Sequence, residues 1–303
     1  PPGTLTSELR DELTAAKPEL LELLSVAAES AASSTTKIPR ADRNKVIPLS
    51  SGQQRMWFLE EFEGGTTVYN IPWAMRIKGD LNTTAMEQAF CDLIARHESL
   101  RTRFRMDDGD PYQDIAASLP FQIEREAMPG AGDEQIQVRL ESLSRHVFDL
   151  SVGPLLKANL IELGAQDQIL SIVMHHIVSD AWSLDILSRE LMTCYIAHAT
   201  GDTPKLAELP IQFADYAVWQ RNNLSGAERD RQLAYWKEKL RGVPALLELP
   251  TDHPRPSEQS YRGARQRRFM PIKLQDQLKQ LARDHNGTLF MVLLSAFNIL
   301  LSR

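Results

Sequence analysis

Residues 169–183 read Ile-Leu-Ser-Ile-Val-Met-His-His-Ile-Val-Ser-Asp-Ala-Trp-Ser: a mostly apolar run, two adjacent histidines, then a polar break. Six residues from Ile169 to Met174, rich in β-branched side chains, suit a buried strand. Ser179 and Asp180 then open an amphipathic helix with Leu184, Leu187, Leu191 and Tyr195 on one face. Any fold of this chain must therefore hold His175 and His176 where a buried strand ends and a helix begins. Successive strand side chains point to opposite faces, so only one of the two imidazoles can face a given cavity. A metal site made by the pair would need both nitrogens converging on one ion, and this geometry argues against it. Two readings stay open: one imidazole in a cleft with the other packed behind it, or two satisfied core histidines.

Composition bounds what surrounds this stretch. A chain of 303 residues with 43% hydrophobic and 24% charged residues is long enough for two globular domains. No apolar run approaches the ~20 residues that a membrane-spanning helix requires, and no basic-then-apolar leader opens the chain. The net charge of −6, without a basic block, makes nucleic acid a poor partner. Cys91 and Cys194 lie on apolar-patterned segments without a C-x-x-C spacing, and are expected as buried free thiols in a reducing, cytoplasmic setting.

Taken in order, residues 4–24 hold two short helices, one capped by Thr6 and one opened by Pro18. Residues 28–45 lack periodicity and read as a mobile linker. Helices are expected at 51–62, from Asn82 onward, and at 133–146, 184–198, 213–222, 226–240, 273–284 and 288–302. Strands are expected at 71–78, 155–163, 168–175 and 260–270, with a hairpin over 99–115 turning at Asp108-Gly109. This mixture suits an α/β layer architecture with a mixed sheet. The last helix is apolar on nearly every turn, with Phe290, Met291, Leu293, Leu294, Phe297, Ile299, Leu300 and Leu301, and no chain is left to cover them. A longer polypeptide is expected.

His175-His176-Ile-Val-Ser-Asp180-Ala181 resembles the HHxxxDG signature of condensation domains in non-ribosomal peptide synthetases. Four further stretches resemble that family's motifs in the same order: Ser50 to Leu59 with Gln53, Arg55 and Trp57; Arg96 to Phe104; Phe148 to Lys157; and Asp215 to Arg221. The resemblance covers about residues 45–303. It implies a chloramphenicol-acetyltransferase-like fold of two lobes, with the N-terminal lobe (46–225) complete and the C-terminal lobe (226–303) only begun. Thr4 to Arg10 and Lys17 to Leu24 resemble the end of an N-terminal docking domain of hybrid polyketide/peptide assembly lines, placed at 1–27. A generic helical hairpin is the alternative there.

The reaction implied is attack of an α-amine on a thioester, giving an amide and a thiol. An α-amine has a reference pKa of about 7.7–8.0, so much of it is protonated at neutral pH, and the tetrahedral intermediate gathers charge. A histidine can hold the amine or take its proton. The resemblance implies that His176 does so, as general base or as positioning group, and that His175 is structural. Asp180 would be buried against Arg101, with Arg103 as the alternative cation; a simple helix cap is the other reading of Asp180 and is compatible with that pairing. Ala181, Trp182 and Ser183 would line the channel, with alanine standing at 181 where the family has glycine. The resemblance implies no metal and no cofactor bound by this domain; substrates would arrive on phosphopantetheine arms of an upstream donor and a downstream acceptor carrier protein. Residues 4–24 would dock the tail of an upstream subunit. The competing readings are an ester-forming acyltransferase of the same fold and a catalytically silent module that docks carriers.

Overall fold

The apolar run before the histidine pair is a strand, Asp167–His175, and its two faces organise the layers around it. The computed structural model describes residues 16–17, 37–257, 261, 263 and 268–302. In chain order the strands are β1 (Ile47–Pro48), β2 (Asn70–Lys78), β3 (Thr102–Asp107), β4 (Asp110–Ile115), β5 (Glu124–Ala127), β6 (Leu156–Gly164) and β7 (Asp167–His175). The helices are α1 (Ser51–Glu63), α2 (Thr83–Arg96), α3 (Asp133–Ser144), α4 (Ala181–Thr200), α5 (Phe213–Asn223), α6 (Gly226–Lys239), α7 (Ile272–Asp284) and α8 (Leu289–Leu301). A 3₁₀ turn covers Glu98–Arg101. Two compact units divide between Gln232 and Leu233.

In the first unit a four-stranded sheet has the order β2-β7-β6-β5. The first three strands pair antiparallel, and β5 adds parallel to β6, so the sheet is mixed as expected. Alternation along β7 sends Leu170, Ile172 and Met174 to one face, where Met86, Ala89, Phe90 and Leu93 of α2 and Leu187 and Leu191 of α4 close over them. Those helical residues recur every three or four positions, the spacing of a single buried stripe. Val173, on the other face, packs with Leu49, Phe104, Phe148 and Leu155. A three-stranded sheet, β1-β4-β3, carries the predicted hairpin. Its turn residues Asp108 and Gly109 both have positive φ (45° and 90°), the conformation that Asp-Gly favours.

In the second unit α7 and α8 pack on each other, joined at Gly287, whose amide donates to the Ala282 carbonyl (2.7 Å). Phe290, Phe297 and Leu300 of α8 are exposed.

Several expectations need correction. The helix expected from 184 starts at Ala181, because Asp180 caps it directly. Cys91 is exposed, since it lies one position off the buried stripe of α2, while Cys194 is buried. Residues 40–43, expected at the end of a mobile linker, are held: the Ala41 amide donates to Asp215 Oδ1 (2.8 Å), and Arg40 donates to the Pro210 carbonyl (3.1 Å). Strands β1 and β5 were not expected. Glu-Arg-Glu-Ala has no apolar alternation, and it becomes a strand only by pairing beside β6. The helices at 4–24, apart from helical Ala16 and Lys17, lie outside the described residues, as does most of the strand expected at 260–270. Among the described residues no helix is long and apolar enough to cross a membrane.

Candidate active site

Strand β7 ends at His175, and the next residue leaves the sheet. The His176 amide still donates to the Tyr69 carbonyl (2.7 Å), so the backbone is anchored where the side chains part. His175 is buried (1% exposed) and His176 is exposed. The cleft-and-support reading of the pair is therefore the one the fold adopts.

The His175 ring is fixed at both nitrogens. Nδ1 accepts the Ile177 amide (3.1 Å), so in the neutral ring Nε2 carries the proton and donates it to Glu60 Oε1 (3.1 Å). Glu60 is itself buried, and its second oxygen accepts the Thr66 amide (2.9 Å). The Phe148 ring meets the imidazole edge-on at 6.2 Å. Burial lowers the His175 pKa; the bond to Glu60 raises it by less, and neighbouring His176 lowers it further. His175 is thus a neutral brace whose Nδ1 shapes the turn that carries His176.

Asp180 takes the helix-cap reading and not the buried one. It is exposed, and its Oδ1 accepts the amide (2.7 Å) and hydroxyl (2.5 Å) of Ser183, capping α4. Those two bonds from Ser183 depress its pKa, and nearby His176 adds to the effect, so it is a carboxylate. The expected pairing with Arg101 does not form, because the carboxylate is engaged at the helix N-terminus. Arg101 ends the 3₁₀ turn, where it donates to the Ala116 carbonyl and lies 3.9 Å from Glu98. The alternative cation, Arg103, pairs with Asp114 (2.7 Å).

His176 lines a cavity of about 160 Å³ together with Gln53, Met56, Asp180, Ser183 and Phe213. Of the three residues expected along the channel, only Ser183 lies on this cavity. Ala181 and Trp182, in the first turn of α4, do not line it and are exposed, Trp182 at 78%.

The first motif reaches the site through Gln53. Its Oε1 accepts the Ser50 amide (3.0 Å) while its own amide donates to Ser50 Oγ (3.2 Å), a capping box that starts α1. Its Nε2 donates to the Ile177 carbonyl (3.4 Å), tying α1 to the residue after His176. The last motif braces α1 from outside: Arg221 donates to the Leu49 carbonyl (2.9 Å) and Gln54 Oε1 (3.0 Å). Sequence reasoning did not assign Gln53, Met56 or Phe213 to the site. The Ser-x-x-Gln spacing was a usable signal for Gln53; none marked the other two. Among the described residues no group of three His, Cys, Asp or Glu side chains could hold a metal ion.

This arrangement presents one imidazole, on a rigid strand end, to a small cavity edged by a carboxylate and a hydroxyl. Comparisons with known proteins identify the family. The family described as Condensation domain matches residues 43–303. Linear gramicidin synthase subunits C and D of Brevibacillus parabrevis are 43% and 44% identical over 89% and 94% of this chain. A dimodular nonribosomal peptide synthase of Bacillus subtilis is 40% identical over 90%. The chain spans 4%, 6% and 12% of those three proteins respectively. Among solved structures, the X-domain from teicoplanin biosynthesis superposes with a TM-score of 0.67 at 31% identity, over 74% of this chain and 50% of that one. The first condensation domain of the CDA synthetase gives a TM-score of 0.61 at 20% identity, over 68% and 53%, a likeness of fold.

Proposed function

The chain belongs to the condensation-domain family of non-ribosomal peptide synthetases, and on that premise we propose that it forms amide bonds between two carrier-tethered substrates. The observation that carries this reading is the division of labour at the strand end: His175 is buried and bonded at both ring nitrogens, while His176 faces the cavity. The donor acyl group and the acceptor aminoacyl group each arrive on a phosphopantetheine arm. The acceptor amine attacks the donor thioester carbonyl; a C–N bond forms and the C–S bond breaks. His176 takes the proton released by the amine and passes it to the departing thiolate, leaving an amide and a free thiol. Asp180, a carboxylate on the same cavity, offers negative charge where positive charge gathers in the intermediate. Upstream and downstream carrier proteins are the partners, with residues 4–24 receiving the tail of an upstream subunit in the cytoplasm.

The test is His176→Ala in the full synthetase, supplied with loaded carriers. Amide formation is expected to fall by ~10²-fold or more, with the melting temperature unchanged. Retained turnover removes His176 from the chemistry. A second reading, a silent docking module, has support in the likeness to an X-domain whose structure was solved in complex with OxyB. Wild-type protein that binds both loaded carriers and yields no amide would establish that second reading.

A further inference from the structure

The loop after His176 separates two cavities. The one that His176 lines adjoins a larger cavity of about 270 Å³, and both share Val178, Ser179, Ser183 and Phe213. Leu100, Met174, Ile186, Leu187 and Ile211 make much of the larger cavity's wall. Its one ionisable wall residue, His97, is already engaged by Glu190 Oε2 (2.6 Å). The Ser183 hydroxyl in the partition is committed to Asp180. The Ser179 hydroxyl is not: the residue is 8% exposed, and its Oγ has no hydrogen-bond partner among the described residues. A buried hydroxyl left without a partner is unfavourable, so a group that bonds it there gains by doing so.

We infer that this larger cavity takes the side chain of one of the two tethered aminoacyl groups, and that Ser179 is a specificity-determining residue at its entrance. The inference rests on the condensation reading. A substrate whose reacting atoms sit at His176 has its side chain next to the shared partition, with an apolar space on the far side. The wall chemistry admits uncharged branched or aromatic side chains and disfavours carboxylates and ammonium groups, for which it offers no counter-charge. A hydroxyl on the side chain can bond Ser179 Oγ.

Donor and acceptor side chains share this chemistry, so the experiment varies them separately. The full synthetase is assayed with alanyl, leucyl, threonyl, tyrosyl and glutamyl groups on one carrier while the other is held constant, and then the reverse. Wild type should use leucyl at least about tenfold better than glutamyl on one side, and that side identifies the occupant. Ser179→Leu, which fills the entrance, should lower kcat/KM for leucyl and tyrosyl by about tenfold relative to alanyl on that side alone. Ser179→Ala should lower threonyl relative to leucyl. Ile186→Phe, intruding from α4, repeats the Ser179→Leu test if that variant does not fold. Equal loss for every group on both sides, or unmoved ratios in folded variants, overturns the pocket assignment while leaving condensation intact. Wild type that joins no pair on the panel overturns the condensation reading and this inference with it.

Discussion

His175 and His176 are adjacent in the chain and opposite in environment, because a strand turns consecutive side chains to opposite faces. Asp180, four residues on, shows how one carboxylate can be read in two ways. Buried against an arginine it would be worth ~3–5 kcal/mol to the fold, because its removal would strand a charge. Exposed at the start of α4 it is an N-cap, and such a cap is worth about 0.5–2 kcal/mol. Asp180→Ala is therefore expected to lower stability by that smaller amount and to stay soluble, with Asp180→Ser recovering much of the loss. Urea unfolding of the variants checks it; a loss above ~3 kcal/mol would restore the buried pair.

At the scale of elements, α5 and the segment before β1 are joined by Arg43. Its guanidinium donates to Glu98 (2.7 Å) and to Asp215 (2.7 Å), the latter 1% exposed. Burial opposes the Asp215 charge, but Arg43 and the amides of Gln212 and Ala41 outweigh it, and the pKa is lowered. Arg43→Ala leaves Asp215 two backbone donors, so the expected cost is about 1–3 kcal/mol. Arg43→Lys should fall between, since one ammonium cannot serve both carboxylates as a fork does. Limited proteolysis within residues 37–45 should quicken in both variants; an unchanged rate would mean that the segment is held elsewhere. Before β6, Gly153 has φ +62°, and an added Cβ would lie 3.3 Å from Leu119 Cδ1 and 3.4 Å from Arg103 Cγ. Gly153→Ala is expected to cost at least about 1–2 kcal/mol from the left-handed backbone alone. An unchanged denaturation midpoint would mean that the backbone relaxes there without cost.

For the whole molecule, acid sensitivity follows from one buried and one half-buried imidazole. Burial lowers the pKa of His175, and it likewise lowers that of His146, where Lys157 adds to the effect. In the unfolded chain both rings return to the ordinary value near 6.5. Above that pH neither state binds the proton, and stability is unaffected. As pH drops below 6.5 the unfolded state takes up protons that the folded state refuses, so stability falls until the lowered folded values are reached. Capping and paired carboxylates such as Asp215 and Asp180, also lowered, extend the loss below about pH 4. Urea midpoints measured from pH 8 to pH 5 should therefore decline below pH 6.5; a flat profile would mean that these histidines titrate alike in both states.

Periodicity and local spacing determined the elements: the helix that Asn82 opens, the apolar run of β7 and the Asp-Gly hairpin are set by near neighbours, legible wherever they occur. The motif order was enough to assign the family. The pairing of β5 with β6, the choice of Ser183 over Arg101 by Asp180, the bonds that tie Arg43 to Asp215, and the partition of two cavities by Ser179 were decided by the tertiary structure. Each joins residues distant in the chain, or sets a local partner against a distant one. A carboxylate at the start of a helix finds amide donors within three residues at almost no entropic cost, whereas a distant arginine must be brought to it by the fold. Proximity along the chain won at Asp180, and only the folded arrangement of α1, β7, α4 and α5 could show which cations and which cavities lay within reach.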